Sequence, residues 1–183
     1  MATVSATQEC IDRPSDITDT RQVIDVFLGP GDYYFGDADT RISTVLGSCV
    51  AVTVWQPELQ IGGMCHFMLP TRGSRTNVPP APDGRYGDEA IAMLVRDMRA
   101  RRTSPRDYEV KVFGGGNMFP AQTRPNSNPV GDRNVEFALA AMKKAGLAVA
   151  ARHVAGVGHR QIVFEVWSGA AWVRHNPLSM NQE

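Results

Sequence analysis

Two apolar runs flanking a short polar turn constrain the fold of this chain more than any other stretch. Over 50–55, Val50, Val52 and Val54 alternate with Ala51, Thr53 and Trp55. An extended segment of that composition has no polar face, so other layers must cover both of its sides. Gln56, Pro57 and Glu58 interrupt the run, and 61–69 returns as a second apolar segment that stops at Pro70. With 56–59 as the hairpin loop, Trp55 faces Gln60, and counting outward sets Cys49 opposite His66. Directly opposed residues of an antiparallel pair share a face with Cβ atoms about 5 Å apart, so a thiol and an imidazole placed this way can reach one another. A slip of one residue in the register would turn His66 to the other face.

Further strand-like runs fall at 23–28, 33–35, 42–46, 108–113, 147–152, 161–167 and 171–175, the last two joined at Ser168-Gly169 as a hairpin. Two stretches carry helical spacing. One, capped by Asp88, aligns Ile91, Leu94, Val95 and Met98. The other, over 133–145, aligns Val135, Leu139 and Met142 and ends at Gly146 as a C-cap. The Gly- and Pro-rich 71–87 and the polar 122–132 read as surface loops. Residues 1–21 lack periodicity and read as a flexible tail, with Cys10 an incidental thiol, which leaves 22–183 as a single domain. The expected class is α+β: a layered, mixed β-sheet core of roughly eight strands with two main helices.

Composition removes several functions. Lys plus Arg equal Asp plus Glu at 19 each, so the formal charge is zero. That argues against nucleic acid as a partner, because such affinity comes from clustered cations on phosphates. The stretch 96–106 is the nearest approach to a basic patch, and Asp97 interrupts it; it reads as the solvated end of a helix. No run approaches the roughly 20 apolar residues of a membrane span, and the first 20 residues have no signal-peptide pattern, so a cytoplasmic protein without membrane insertion is expected. Three cysteines, Cys10, Cys49 and Cys65, make a disulfide framework improbable in a domain of this size.

A cysteine at the start of an apolar strand is more often a small buried hydrophobe, and a strand histidine more often a satisfied core residue. Against that stands the chemistry of the pair. Only the thiolate is a strong nucleophile, and a neighbouring histidine lowers the pKa of a free thiol, about 8.5, by several units. Gly47, just before Cys49, permits an unusual backbone angle that would aim the amides of Ser48 and Cys49 at a developing oxyanion. A zinc site of Cys49, Cys65 and His66 is disfavoured, since adjacent strand residues face opposite ways and no fourth ligand has the right spacing. Gly114-Gly115-Gly116-Asn117 lacks the Lys-Ser/Thr ending of a phosphate loop, and Gly156-Val157-Gly158 lacks the third glycine of a dinucleotide fingerprint. No metal and no cofactor is therefore expected. His153, His159 and His175 have no evident carboxylate or cysteine partner in sequence and read as structural or exposed.

Several segments together resemble a known family. Thr44-Val45-Leu46-Gly47-Ser48-Cys49-Val50-Ala51-Val52 and Gly62-Gly63-Met64-Cys65-His66-Phe67-Met68-Leu69-Pro70, with Cys and His 17 positions apart, are similar to CheD, the chemoreceptor glutamine deamidases. Tyr86 leading into Asp88, the run from Lys111 to Phe119, Gly131-Asp132-Arg133-Asn134-Val135 and the strand near Phe164 continue the likeness. The resemblance implies a fold similar to cysteine-dependent deamidating toxins and a catalytic set of Cys49, His66 and Thr44. Ser43 is the alternative orienting hydroxyl, since some members place theirs one residue further from the cysteine. It also implies conversion of specific receptor glutamines to glutamate through a cysteine thioester. The implied partners are the cytoplasmic helices of methyl-accepting chemotaxis receptors, and a CheC-type phosphatase. The alternative is a non-catalytic module that docks on receptors or on that phosphatase. A third outcome, in which an amine resolves the thioester, would be transglutaminase-like.

Overall fold

The computed structural model describes residues 22–73, 81–123 and 127–178; Cys10 and the expected tail lie outside them. In chain order the elements are β1 (Ile24–Leu28), β2 (Tyr33–Gly36), β3 (Thr40–Leu46), β4 (Val50–Gln56), β5 (Ile61–Phe67), α1 (Gly87–Ala100), β6 (Glu109–Gly114), α2 (Val130–Ala145), β7 (Val149–Val154), β8 (His159–Glu165) and β9 (Ala171–Asn176). The class is α+β, with nine strands among the described residues. They form two sheets, a five-stranded one ordered β2-β5-β4-β6-β7 and a four-stranded one ordered β1-β3-β8-β9. Both sheets are mixed: β1–β3 and β6–β7 are parallel and the other pairs antiparallel.

The unbroken apolar character of β4 has the expected cause. Val50, Val52 and Val54 pack with Cys65 and Phe67 against Ile91, Leu94 and Met98 of α1 and Val135, Ala138 and Met142 of α2. The opposite face carries Ala51, Met64 and Phe113, which meet Ile42 and Leu46 of β3 and Ile162 and Phe164 of β8. The molecule is thus a helix layer, a central sheet and a second sheet, with one apolar interface on each side of the centre.

The hairpin register differs from the count made on the sequence. Gln56 pairs with Ile61, so the loop is 57–60 rather than 56–59, Trp55 faces Gly62, and His66 lies opposite Ala51 instead of Cys49. Sliding the loop by one residue moves both strands together. Each pairing shifts by two positions, and no side chain changes face. Cys49 and His66 therefore remain on the same side, offset along the strands.

Three smaller expectations change. Tyr86, not Asp88, is the N-cap of α1; Asp88 lies in the first turn, where its charge suits the helix dipole. Helix α2 starts at Val130, so the end of the expected loop 122–132 is helical. Gly131 belongs there because a Cβ on it would sit 2.6 Å from the Gly115 carbonyl oxygen. Val95 and Leu139 are only partly buried at the edges of the helix layer. The basic stretch at the end of α1 and just beyond it packs on β2, with Arg96 donating to Tyr33 Oη at 2.8 Å and Arg101 stacked 4.1 Å from the Phe35 ring. No described helix is long and apolar enough to cross a membrane.

Candidate active site

Strand alternation in β3 sends Ile42, Thr44 and Leu46 inward and leaves Ser43 on the outer face, where its hydroxyl points to the Val26 carbonyl at 3.4 Å. Thr44 and His66 come from different sheets and meet between them. Thr44 Oγ1 is 2.8 Å from His66 Nδ1 and donates to the Leu28 carbonyl at 2.7 Å. A hydroxyl has one proton. With that proton on Leu28, the bond to the ring requires Nδ1–H as donor and Oγ1 as acceptor, so the neutral imidazole keeps its lone pair on Nε2. Nε2 is buried and has no hydrogen-bond partner among the described residues. The chain itself thus selects the tautomer with a vacant basic nitrogen.

Cys49, half-buried, immediately precedes β4 and packs on the inter-sheet cluster, the layer into which His66 points. No hydrogen bond joins the thiol to the ring. Burial pushes the Cys49 thiol up from its ordinary value, with its own backbone amide pulling weakly the other way. Burial also pushes the His66 imidazole down, and the Leu28 carbonyl and Asp32 oppose it more weakly. Burial thus favours the neutral form of each, thiol and free imidazole. Desolvation penalises both charged forms, a pull opposite to the one a neighbouring imidazolium exerts on a thiol. Cys65 faces the helices, and its burial pushes the thiol up to about 12.

The turn before Cys49 also differs from expectation. Gly47 has no left-handed backbone angle; its reason is space, since a Cβ would sit 3.0 Å from the Met118 side chain. The amides of Ser48 and Cys49 take their directions from bonds to the carbonyls. Gly116 N–H donates to the Gly47 carbonyl and Gly115 N–H to the Cys49 carbonyl, each at 2.8 Å. Asn134 Nδ2 donates to the Ser48 carbonyl at 3.0 Å and to the Met68 carbonyl at 2.8 Å. Gly115 and Gly116, set aside on the sequence as a failed phosphate loop, brace the Cys49 turn. Asn134 was legible only as part of a family segment, because a side chain bonding distant carbonyls leaves no periodic signature.

Among the described residues the three other histidines bond neither carboxylate nor cysteine: Asn176 Nδ2 donates to His159 Nε2 at 3.2 Å. Arg160, buried, donates from Nε to His153 Nδ1 at 2.8 Å, and His175 Nε2 donates to the Val157 carbonyl at 2.9 Å.

The family model described as CheD chemotactic sensory transduction matches residues 68–175. The chain belongs to the CheD family. It is 47% identical over 161 residues to the probable chemoreceptor glutamine deamidase CheD of Pseudomonas syringae pv. tomato, covering 87% of this chain and 94% of that relative. The protein of the same name from Pseudomonas fluorescens is 46% identical over 160 residues, 87% of this chain and 89% of its own. A more distant relative, the probable chemoreceptor glutamine deamidase CheD 1 of Leptospira interrogans, is 31% identical over 156 residues, 82% of this chain and 92% of its own. The matched part of the CheD model begins just beyond His66. The Pseudomonas syringae alignment leaves out too few residues at either end to miss the span from Thr44 to His66, so the likeness to CheD relatives includes the cluster.

Proposed function

We propose that this CheD chain is a protein-glutamine deamidase that converts glutamine side chains on the cytoplasmic helices of chemotaxis receptors to glutamate, releasing ammonia. The observation that carries the mechanism is the fixed tautomer of His66, whose unprotonated Nε2 faces the layer that holds Cys49. When a substrate amide enters, Nε2 takes the Cys49 proton as the sulfur attacks the amide carbon. The carbonyl electrons move to oxygen, which the amides of Ser48 and Cys49 hold. Collapse breaks the C–N bond, and the imidazolium returns its proton to the departing ammonia, leaving a thioester on Cys49. His66 then deprotonates a water that attacks the thioester, and the thiolate leaves and is reprotonated. Thr44 keeps the ring in place throughout, with Ser43 turned away from it.

Met68, Leu69 and Phe119 support a helical protein substrate: all three are exposed apolar side chains, and the Met68 carbonyl is bridged to the Cys49 turn. A CheC-type phosphatase presenting a helix would suit the same rim. A cytoplasmic location follows from that substrate, and kinship with cysteine-dependent deamidating toxins from the cysteine–histidine chemistry on a mixed sheet. The test is incubation with receptor cytoplasmic fragments, with glutamine-to-glutamate conversion mapped by mass spectrometry. Conversion at a small set of helix sites is expected. Intact glutamines, in fragments that a related CheD protein does deamidate, would overturn the proposal.

A further inference from the structure

Asn134 is fully buried near the start of α2, and both protons of its amide are engaged, one on the Ser48 carbonyl and one on the Met68 carbonyl. These carbonyls belong to segments that are separating. The β4–β5 ladder ends where Val50 faces Phe67, and the next positions outward are Cys49 and Met68. The Met68 amide has already turned away to donate to the Arg85 carbonyl at 2.9 Å. The Asn134 amide thus spans the fork where the strand that leads out from Cys49 parts from the strand that carries His66.

The bond to Ser48 does more than tie two segments together. The Ser48–Cys49 peptide is trans, so its N–H points opposite its C=O. Drawing the Ser48 carbonyl to Asn134 fixes the direction of the Cys49 N–H. In the same way Gly116 fixes the Ser48 N–H through the Gly47 carbonyl. The acceptor side of Asn134 points to a role beyond packing, since Oδ1 is buried with no hydrogen-bond partner among the described residues. An aliphatic side chain of similar volume would remove that unsatisfied acceptor but leave the Ser48 and Met68 carbonyls without this donor, so the amide serves the two segments it joins.

We infer that Asn134 is a positioning residue for the deamidation, a clamp that sets the direction of the Cys49 amide and the offset between Cys49 and His66. The inference rests on the assignment of Cys49 and His66 above. Its test compares wild type with Asn134→Leu, and with Asn134→Ala should the leucine fail to fold, all in a Cys10→Ser background. Melting temperature, kcat and KM on receptor fragments, and Cys49 alkylation by iodoacetamide across pH are measured for each. For a folded variant, kcat is expected to fall about 100-fold while KM stays within about twofold, because reacting groups displaced by an ångström lose rate and not binding. Alkylation of Cys49 is expected to become easier, its pH midpoint moving down toward that of an ordinary thiol as the turn opens to water. Unfolding would also ease alkylation, so both readouts are taken below the onset of melting, where a variant losing stability alone keeps the wild-type kcat and alkylation profile. Unchanged kcat in a folded variant would overturn the inference, as would a kcat loss no larger than the unfolded fraction accounts for. Cys49→Ala in the same assay separates the two claims. Activity surviving in Cys49→Ala removes the catalytic assignment and the clamp with it; unchanged Asn134→Leu beside an inactive Cys49→Ala removes the clamp alone.

Discussion

Thr44 gives its hydroxyl proton to Leu28 and accepts one from His66, so a single side chain decides which imidazole nitrogen is basic. Thr44→Val keeps the shape and removes the hydroxyl. Deamidation by that variant should fall roughly 100-fold, because a ring free to exchange tautomers and rotate is a poorer general base. Ser43→Ala, on the outer face, should stay within about twofold of wild type in the same kcat measurement; the reverse ranking would move the orienting role to Ser43. The pH dependence has a definite sign. Burial holds the folded His66 below its unfolded value of about 6.5, so the folded state binds fewer protons near that pH. The stability this contributes is present above about 6.5 and is lost as pH falls through the lowered folded value. Denaturant midpoints should therefore drop between neutral and acid pH, and drop less in His66→Phe. Some fall should remain, because burial lowers His153 as well. The preference for Thr44 rested on family pattern at the sequence level, and β3 alternation supplies its physical reason. The desolvation of Cys49 and His66 was not legible in the sequence, because it depends on a packed layer that neither residue's neighbours in sequence reveal.

Among the elements, the β4–β5 hairpin was the most legible, since Val50, Val52 and Val54 with Ala51, Thr53 and Trp55 leave no polar face. Its loop was misplaced by one residue, so His66 opposes Ala51 and not Cys49, but the shift preserved parity and left both on one face. The contact between α2 and the Gly114–Gly116 turn was not legible, because Gly131 reads as a loop residue until its neighbour in space is known. That contact has a measurable consequence. In Gly131→Ala the new Cβ would meet Gly115 backbone atoms at 2.6 and 2.8 Å, and backbone cannot swing aside as a flexible side chain would. The variant should lose ~1–3 kcal/mol in chemical denaturation, the usual cost of overpacking. It should lose deamidation activity as well, since Gly115 and Gly116 brace the Cys49 turn. Full stability in Gly131→Ala would show that the helix start can move without cost.

At the scale of the whole molecule, the three layers explain why the site lies where it does. The central sheet contributes Cys49 and His66 from the same end of neighbouring strands, the second sheet contributes Thr44, and the helix layer reaches around that end through Asn134. Each layer therefore supplies one part that the others lack, and the apolar residues Met68, Leu69 and Phe119 are exposed on segments that border the cluster. The α+β class and the apolar faces were readable from periodicity. The division into two sheets was not, because the parallel pairing of β1 with β3 and the docking of β8 on β3 join segments far apart in sequence. The most direct measurement of the central claim is glutamine-to-glutamate conversion on receptor cytoplasmic fragments by wild type and Cys49→Ala at equal concentration. The expected result is conversion by wild type and none above the uncatalysed rate by Cys49→Ala; undiminished conversion by Cys49→Ala would contradict it.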